Sequence, residues 1–177
     1  MLLFCEEDLR LNSKLKTLVE ASLSVALSIV LSYFTVFRMP QGGSVSLSML
    51  PLLIFSLRRG GWHGMAAGAV TGLLHILLGG YIVHPVQALL DYPIASGALG
   101  LAGFFGDKKL LGIITSASMN LLSSILSGVI FFASYAPKGV NVWLYSLAYN
   151  SSVVIPEALI CSVLVYIIWP RINKRGI

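Results

Sequence analysis

The chain has 177 residues, 56% hydrophobic and 11% charged, with 12 Lys and Arg against 7 Asp and Glu for a net charge of +5. A mean hydropathy of +0.86 excludes an ordinary soluble domain and marks an integral membrane protein. Each crossing needs roughly 20 helical residues, so the length holds at most six spans with short loops and no soluble domain.

A mixed, charged stretch from Cys5 to Lys16 precedes the first apolar segment, 17–37. That segment lacks a small-residue cleavage site after a short core, so it reads as a retained span rather than a signal peptide. Glu20, in its first turn, reads as a solvated residue near the inner interface. The second segment, 45–57, has a short core, "LSMLPLLIFSL", and Pro51 makes it a short or kinked span. The third, 60–78, carries His75 on a face with Gly68 and Gly72, where a packing or hydrogen-bonding histidine is expected.

In the fourth segment, 85–105, His84, Gln87 and Asp91 follow i, i+3, i+7 spacing and share one helical face. At 1.5 Å per residue, Asp91 lies about 9 Å along the helix from Pro85, flanked by Tyr92. The fifth segment spans 110–133. The sixth, 142–170, is long enough to begin or end outside the hydrocarbon; Tyr145 and Asn150 fall in its first turns, and Asn150 and Glu157, seven apart, share a face. Cys5 and Cys161, the only cysteines, lie far apart in the chain and read as reduced, inert thiols rather than a disulfide framework.

The positive-inside rule tests this division. With six spans and both termini cytoplasmic, ten of the twelve basic residues (Arg10, Lys14, Lys16, Arg58, Arg59, Lys108, Lys109, Arg171, Lys174 and Arg175) fall inside, leaving Arg38 and Lys138 outside. Losing the second segment would scatter them over both faces. The same distribution explains the net charge, so no nucleic-acid partner is implied. Three loops become external: "RMPQGGS" (38–44), "GGYIVH" (79–84) and "SYAPKGVN" (134–141). Their Gly, Pro, aromatic and amide content suits a lid over a small ligand, and equally suits tight turns. No internal repeat supports an inverted-repeat transporter.

Ionisable groups within spans are costly and usually face a cavity or a partner. Asp91, Gln87, Tyr145, Asn150 and Glu157 direct two helices' polar groups to the outer half of the bundle, as expected of a pocket for a small polar ligand. An interhelical polar clamp is the alternative. No GxxxxGK[ST] phosphate loop, HExxH zinc motif, GxSxG serine elbow or paired-carboxylate metal cluster occurs, so neither an ATPase site, a metal nor a cofactor is expected. Two other classes remain: a stand-alone transporter driven by an ion through Asp91 and Glu157, and a membrane enzyme acting on a lipid.

Three stretches carry a family resemblance: "MPQGGSVSLSMLPLLIFSLRRG" (39–60), "HPVQALLDYPIASGALGLAG" (84–103) and "SGVIFFASYAPKGVNVWLYSLAYN" (127–150). Together they resemble the thiamine-binding S component of energy-coupling factor transporters. The resemblance implies an all-α, six-helix membrane subunit that captures thiamine from outside, works with a transmembrane coupling subunit and two cytoplasmic ATPases, and topples in the lipid to deliver its ligand. It places Ser22 and Ala26 on a small-residue face toward the coupling subunit.

It also places the family's acidic residue at Asp91, next to Tyr92, to accept hydrogen bonds from the ligand's aminopyrimidine. Tyr145 and Asn150 are implied to bond the pyrimidine edge or the hydroxyethyl tail, and Phe132 to stack on the thiazolium. Gln87 on the polar stripe, and Tyr81 and Tyr135 in the second and third external loops, complete the candidate substrate-binding set with Asn120 and Ser124. Those last two depart from the family pattern: relatives carry a basic residue and, four positions on, a histidine. A polar lining is kept while a positive charge near Asp91 is lost, which leaves open thiamine, a phosphate of it, or a related pyrimidine or thiazole compound. Trp62 and Trp143 are the expected fluorescent reporters.

Overall fold

The computed structural model describes the backbone of residues 2–39 and 43–173, and the side chains of 13–39 and 43–172. The side chains of Cys5 and Arg10, residues 40–42 of the first external loop, and Lys174 and Arg175 lie outside this description. Helix α1 runs Leu2–Tyr33, starting earlier and ending earlier than the expected 17–37. The β-branched pair Thr35–Val36 then leads into a hairpin absent from the expected all-α fold. Strands β1 (Phe37–Arg38) and β2 (Ser44–Val45) pair antiparallel with Phe37 opposite Val45. Val36 N donates to Val45 O at 2.8 Å, and Gly43, at φ 82°, supplies the left-handed turn residue.

Helix α2 (Met49–Arg59) is only 11 residues, about 17 Å at 1.5 Å per residue, too short to cross the hydrocarbon alone. Pro51 sits in its first turn, where the missing N–H is not needed, so it starts the helix rather than kinking it. Pro51, Leu52, Leu53, Phe55 and Ser56 are buried, and α2 forms the centre of the core with Val25, Ala67, Leu99, Ile113, Val154 and Val165. The buried face of α2 thus meets protein, where a short helix is tolerated.

Gly60, at φ 92°, turns the chain into α3 (Gly61–Leu77). Glu20 is not the solvated residue expected: Arg59 Nε and Nη2 donate to its two carboxylate oxygens at 2.8 and 2.7 Å, with Arg58 Nη2 at 3.6 Å. The early start of α1 puts Glu20 several turns into the helix, level with the end of α2. His75 Nε2 lies 3.1 Å from Ser32 Oγ, joining α3 to α1 as a hydrogen-bonding histidine.

The helical run 85–104 changes pitch three times: α4 (Pro85–Leu89), a π turn (Leu90–Ile94), α5 (Ala95–Ala98) and a 3-10 turn (Leu99–Phe104). Pro93 has no N–H for the carbonyl four residues back, and the wider π register accommodates that gap. Gly64, Gly68 and Gly72 of α3 lie against this run. A methyl group at Gly68 would overlap Ser96 O, and one at Gly72 would overlap the Tyr92 and Pro93 backbone, which is the close approach that small residues permit between membrane helices. Helix α6 (Lys109–Phe131) and helix α7 (Val142–Asn173) complete the bundle.

Three helical stretches, Ser13–Tyr33, Lys109–Phe131 and Val142–Ile172, are long and apolar enough to cross a membrane. Their outward faces expose Leu18, Leu23, Leu27, Ile114, Leu122, Leu159 and Val163, as lipid contact requires.

Candidate functional site

A cavity of about 800 Å³ opens between the hairpin, the 85–104 run, α6 and α7. Asp91 and Tyr92 reach it from the π turn, where the change of pitch re-aims side chains that a regular helix would place elsewhere. Gln87, only 2% exposed, organises this wall. Its Nε2 donates to Asp91 Oδ2 at 2.7 Å and to Tyr81 O at 3.2 Å, and its Oε1 accepts from Val83 N at 3.1 Å. The loop carrying Tyr81 is thereby tied to the carboxylate, and Tyr92 OH adds a 3.4 Å bond to Tyr81 O.

The opposite wall is built where α7 meets α6. Gly128 permits the approach, since a methyl group there would overlap Ser146 Oγ; that hydroxyl instead donates to Ile125 O at 3.0 Å. Asn150 Nδ2 donates to Ser146 O at 2.9 Å and to Ser124 O at 3.4 Å, so what Asn150 offers a ligand is its amide oxygen.

Aromatic rings fill the sides. Phe132 stacks on Tyr81 with centroids 6.2 Å apart and meets Tyr135 edge-on at 5.9 Å, while Tyr145 stacks on Tyr149 at 6.3 Å. In the loops, interaction with the Tyr135 phenol raises the Tyr81 phenol above its ordinary range. Among the described residues, five tyrosines and a phenylalanine, one carboxylate and no Lys, Arg or His form the lining. Such a chamber suits a flat, cationic ligand with hydrogen-bond donors.

The family model described as thiamine transporter protein (Thia_YuaJ) matches residues 18–175. The chain belongs to this thiamine transporter family. A curated relative, the thiamine transporter ThiT of Bacillus subtilis (strain 168), is 34% identical over 185 residues, covering 92% of this chain and 96% of that protein. A structure of ThiT from Listeria monocytogenes aligns with TM-score 0.83 and 26% identity, covering 92% of this chain and 97% of the other. The S component of a bacterial ECF transporter shares the fold, with TM-score 0.65 at 19% identity over 91% of this chain and 97% of the other. This family member is a multi-pass protein of the bacterial cell membrane, and its family is one of transporters rather than enzymes.

Of the residues the sequence singled out in this thiamine transporter family member, Tyr81, Gln87, Asp91, Tyr92, Ser124, Phe132, Tyr135, Tyr145 and Asn150 line one cavity. Asn120 does not. Leu99 N bonds Ser96 O in the tighter turn, which frees Ala95 O, and Asn120 Nδ2 donates to that carbonyl at 2.8 Å. Ser123 Oγ likewise donates to Leu90 O at 2.7 Å, so α6 braces the irregular run from behind. His84, expected at the head of the polar stripe, caps α4 instead: its Nδ1 accepts from Val86 N at 3.1 Å, and its ring stacks on Phe131.

Glu157 also lies away from the cavity, bonded to residues 46–49, and shares no chamber with Asp91. Neither Trp62, edge-on to Phe104 at 5.4 Å, nor Trp143 lines the cavity, so tyrosines are the better reporters. Ser146, Tyr149 and Val153 were missed although they stand four before, one before and three after Asn150, on or beside its face. Gly128, four residues past Ser124, was accessible by the same spacing. Gly43 and Ser44 reach the site only through the hairpin, which two-residue strands do not announce in sequence.

Proposed function

We propose that this chain is the substrate-capture subunit of an ATP-driven vitamin importer and that thiamine is its ligand. The observation that carries the reading is the chamber with aromatic sides, a single carboxylate and no basic group. Asp91 accepts from the exocyclic amine of the pyrimidine, with Gln87 holding its other oxygen in place. Tyr92 and Tyr145 flank the ring, and the Asn150 amide oxygen and Ser124 hydroxyl serve the polar edge or the hydroxyethyl tail. Phe132, with Tyr81 and Tyr135, faces the thiazolium, a cation–π contact of about 0.5–2 kcal/mol. Asn120 shapes the site without touching the ligand.

In this reading the chain crosses the membrane six times with both termini cytoplasmic, α2 being the short buried crossing. It has no ATPase site of its own. A transmembrane coupling subunit and two cytoplasmic ATPases supply the drive, the coupling subunit meeting α1 at Ser22 and Ala26. Both residues are exposed, and Ser22 Oγ is turned back onto Leu18 O at 2.9 Å, which keeps the face small and apolar in character.

Isothermal titration of the purified protein in lipid nanodiscs, supported by tyrosine fluorescence, tests the ligand. Saturable 1:1 binding of thiamine is expected. No heat, no quench and no thermal shift with thiamine, its phosphates and the free pyrimidine would refute the assignment.

A further inference from the structure

Glu157 is 5% exposed and takes no part in the cavity. Its Oε1 accepts from Ser48 Oγ at 2.9 Å, Ser46 Oγ at 3.0 Å and Met49 N at 3.4 Å. All three donors belong to residues 46–49, the segment that leads from β2 into α2. Among the described residues no cation pairs with it; the ion pairs are those of Glu20. A carboxylate buried in a membrane bundle is retained only where donors converge on it, and here they converge from one side.

The other end of the same segment reaches the cavity. Gly43 and Ser44 line it, and Gly43 lies so close to α7 that an added Cβ would stand 2.8 Å from Val153 Cγ2 and 3.5 Å from Tyr149 OH. Tyr149, Val153 and Glu157 follow i, i+4, i+8 spacing, one stripe of α7. Two of them line the cavity beside the hairpin, and the third grips its base.

We infer that Glu157 is a positioning residue: it holds the β1–β2 hairpin against α7 as a wall of the cavity and thereby sets how long a ligand stays bound. It acts through Ser46, Ser48 and Met49 and does not touch the ligand. The part concerning ligand residence rests on the thiamine reading above; the hairpin contact itself does not.

Hydrogen–deuterium exchange of residues 36–48 and stopped-flow thiamine dissociation are compared in nanodiscs for the wild type, Glu157→Ala, Glu157→Gln and the double variant Ser46→Ala/Ser48→Ala. In Glu157→Ala, exchange of 36–48 rises about tenfold, and dissociation quickens about tenfold with little change in association, the scale of losing hydrogen bonds to a charged group. The serine variant follows in the same direction, and Glu157→Gln, which keeps an acceptor oxygen, falls between. The two variants that retain or leave intact residue 157's acceptor decide the matter should Glu157→Ala fail to fold. Unchanged exchange in 36–48, or an equal rise in 109–131, overturns the positioning role. Faster exchange with unchanged dissociation overturns its effect on residence. A wild type that does not bind thiamine refutes the ligand assignment, while the exchange contrast still decides the hairpin contact.

Discussion

Replacing Asp91 with Asn keeps the volume of the side chain and removes its charge, and the surrounding hydrogen bonds dictate which way the new amide turns. Gln87 Nε2 donates to Asp91 Oδ2 at 2.7 Å while Gln87 Oε1 is held by Val83 N. Gln87 Nε2 also donates to Tyr81 O, so Gln87 cannot reverse its amide without losing its bonds to both Val83 N and Tyr81 O. The Asn oxygen must turn to Gln87, which leaves its NH2 facing the pyrimidine's amine, donor against donor. A hydrogen bond to a charged group contributes about 1.5–3 kcal/mol against about 0.5–1.5 for a neutral one, so the substitution costs about 1–3 kcal/mol of binding free energy. That is a rise of about 5- to 150-fold in the Kd for thiamine. Calorimetric titration of Asp91→Asn beside the wild type measures it, with the melting temperature as a control for folding. An unchanged Kd with a lowered melting temperature would refute the ligand contact and return Asp91 to the role of interhelical clamp.

Gly72→Ala places a methyl group against the Tyr92 and Pro93 backbone. Overpacking costs about 1–3 kcal/mol, and because the displaced backbone carries Asp91 and Tyr92, both the melting temperature and thiamine affinity fall, the latter by about tenfold in titration. Asn120→Ala strips Ala95 O of its 2.8 Å donor and lowers stability by about 1–3 kcal/mol in thermal unfolding, with thiamine affinity changing less than in Asp91→Asn. Thiamine diphosphate brings anionic groups into a lining that holds a carboxylate and no basic residue; competition titration should show it binding at least about tenfold more weakly than thiamine.

The polar wall was legible because Gln87 and Asp91 stand four apart, and they still bond although Asp91 is the second residue of the π turn that begins at Leu90. Past that turn the rule weakens. Asn120 and Ser123 donate to Ala95 O and Leu90 O, on either side of Pro93, a bracing of the irregular run that only that proline hinted at. Spacing also places Glu157 on the same side of α7 as Asn150 without saying which neighbour it meets there: the ligand chamber ends near Val153, and one turn on the hairpin has taken its place. The hairpin itself was illegible, since strands Phe37–Arg38 and Ser44–Val45 are too short for an alternating pattern and owe their pairing to what lies behind them. The brevity of α2 was visible in its apolar run, whereas the reason for it, the burial of Pro51, Leu52, Leu53, Phe55 and Ser56 against neighbouring helices, is a property of the assembled bundle.

The glycine seam of α3 separates where the binding residues stand from what they are. Gly64, Gly68 and Gly72 touch main-chain atoms of the 85–104 run, on the side turned away from the chamber, and so fix the position of the π turn irrespective of the side chains it displays. A lineage can therefore exchange the side chains that face the chamber while the platform beneath them stays put. Variation in ligand chemistry is cheap on the chamber side and nearly forbidden on the seam.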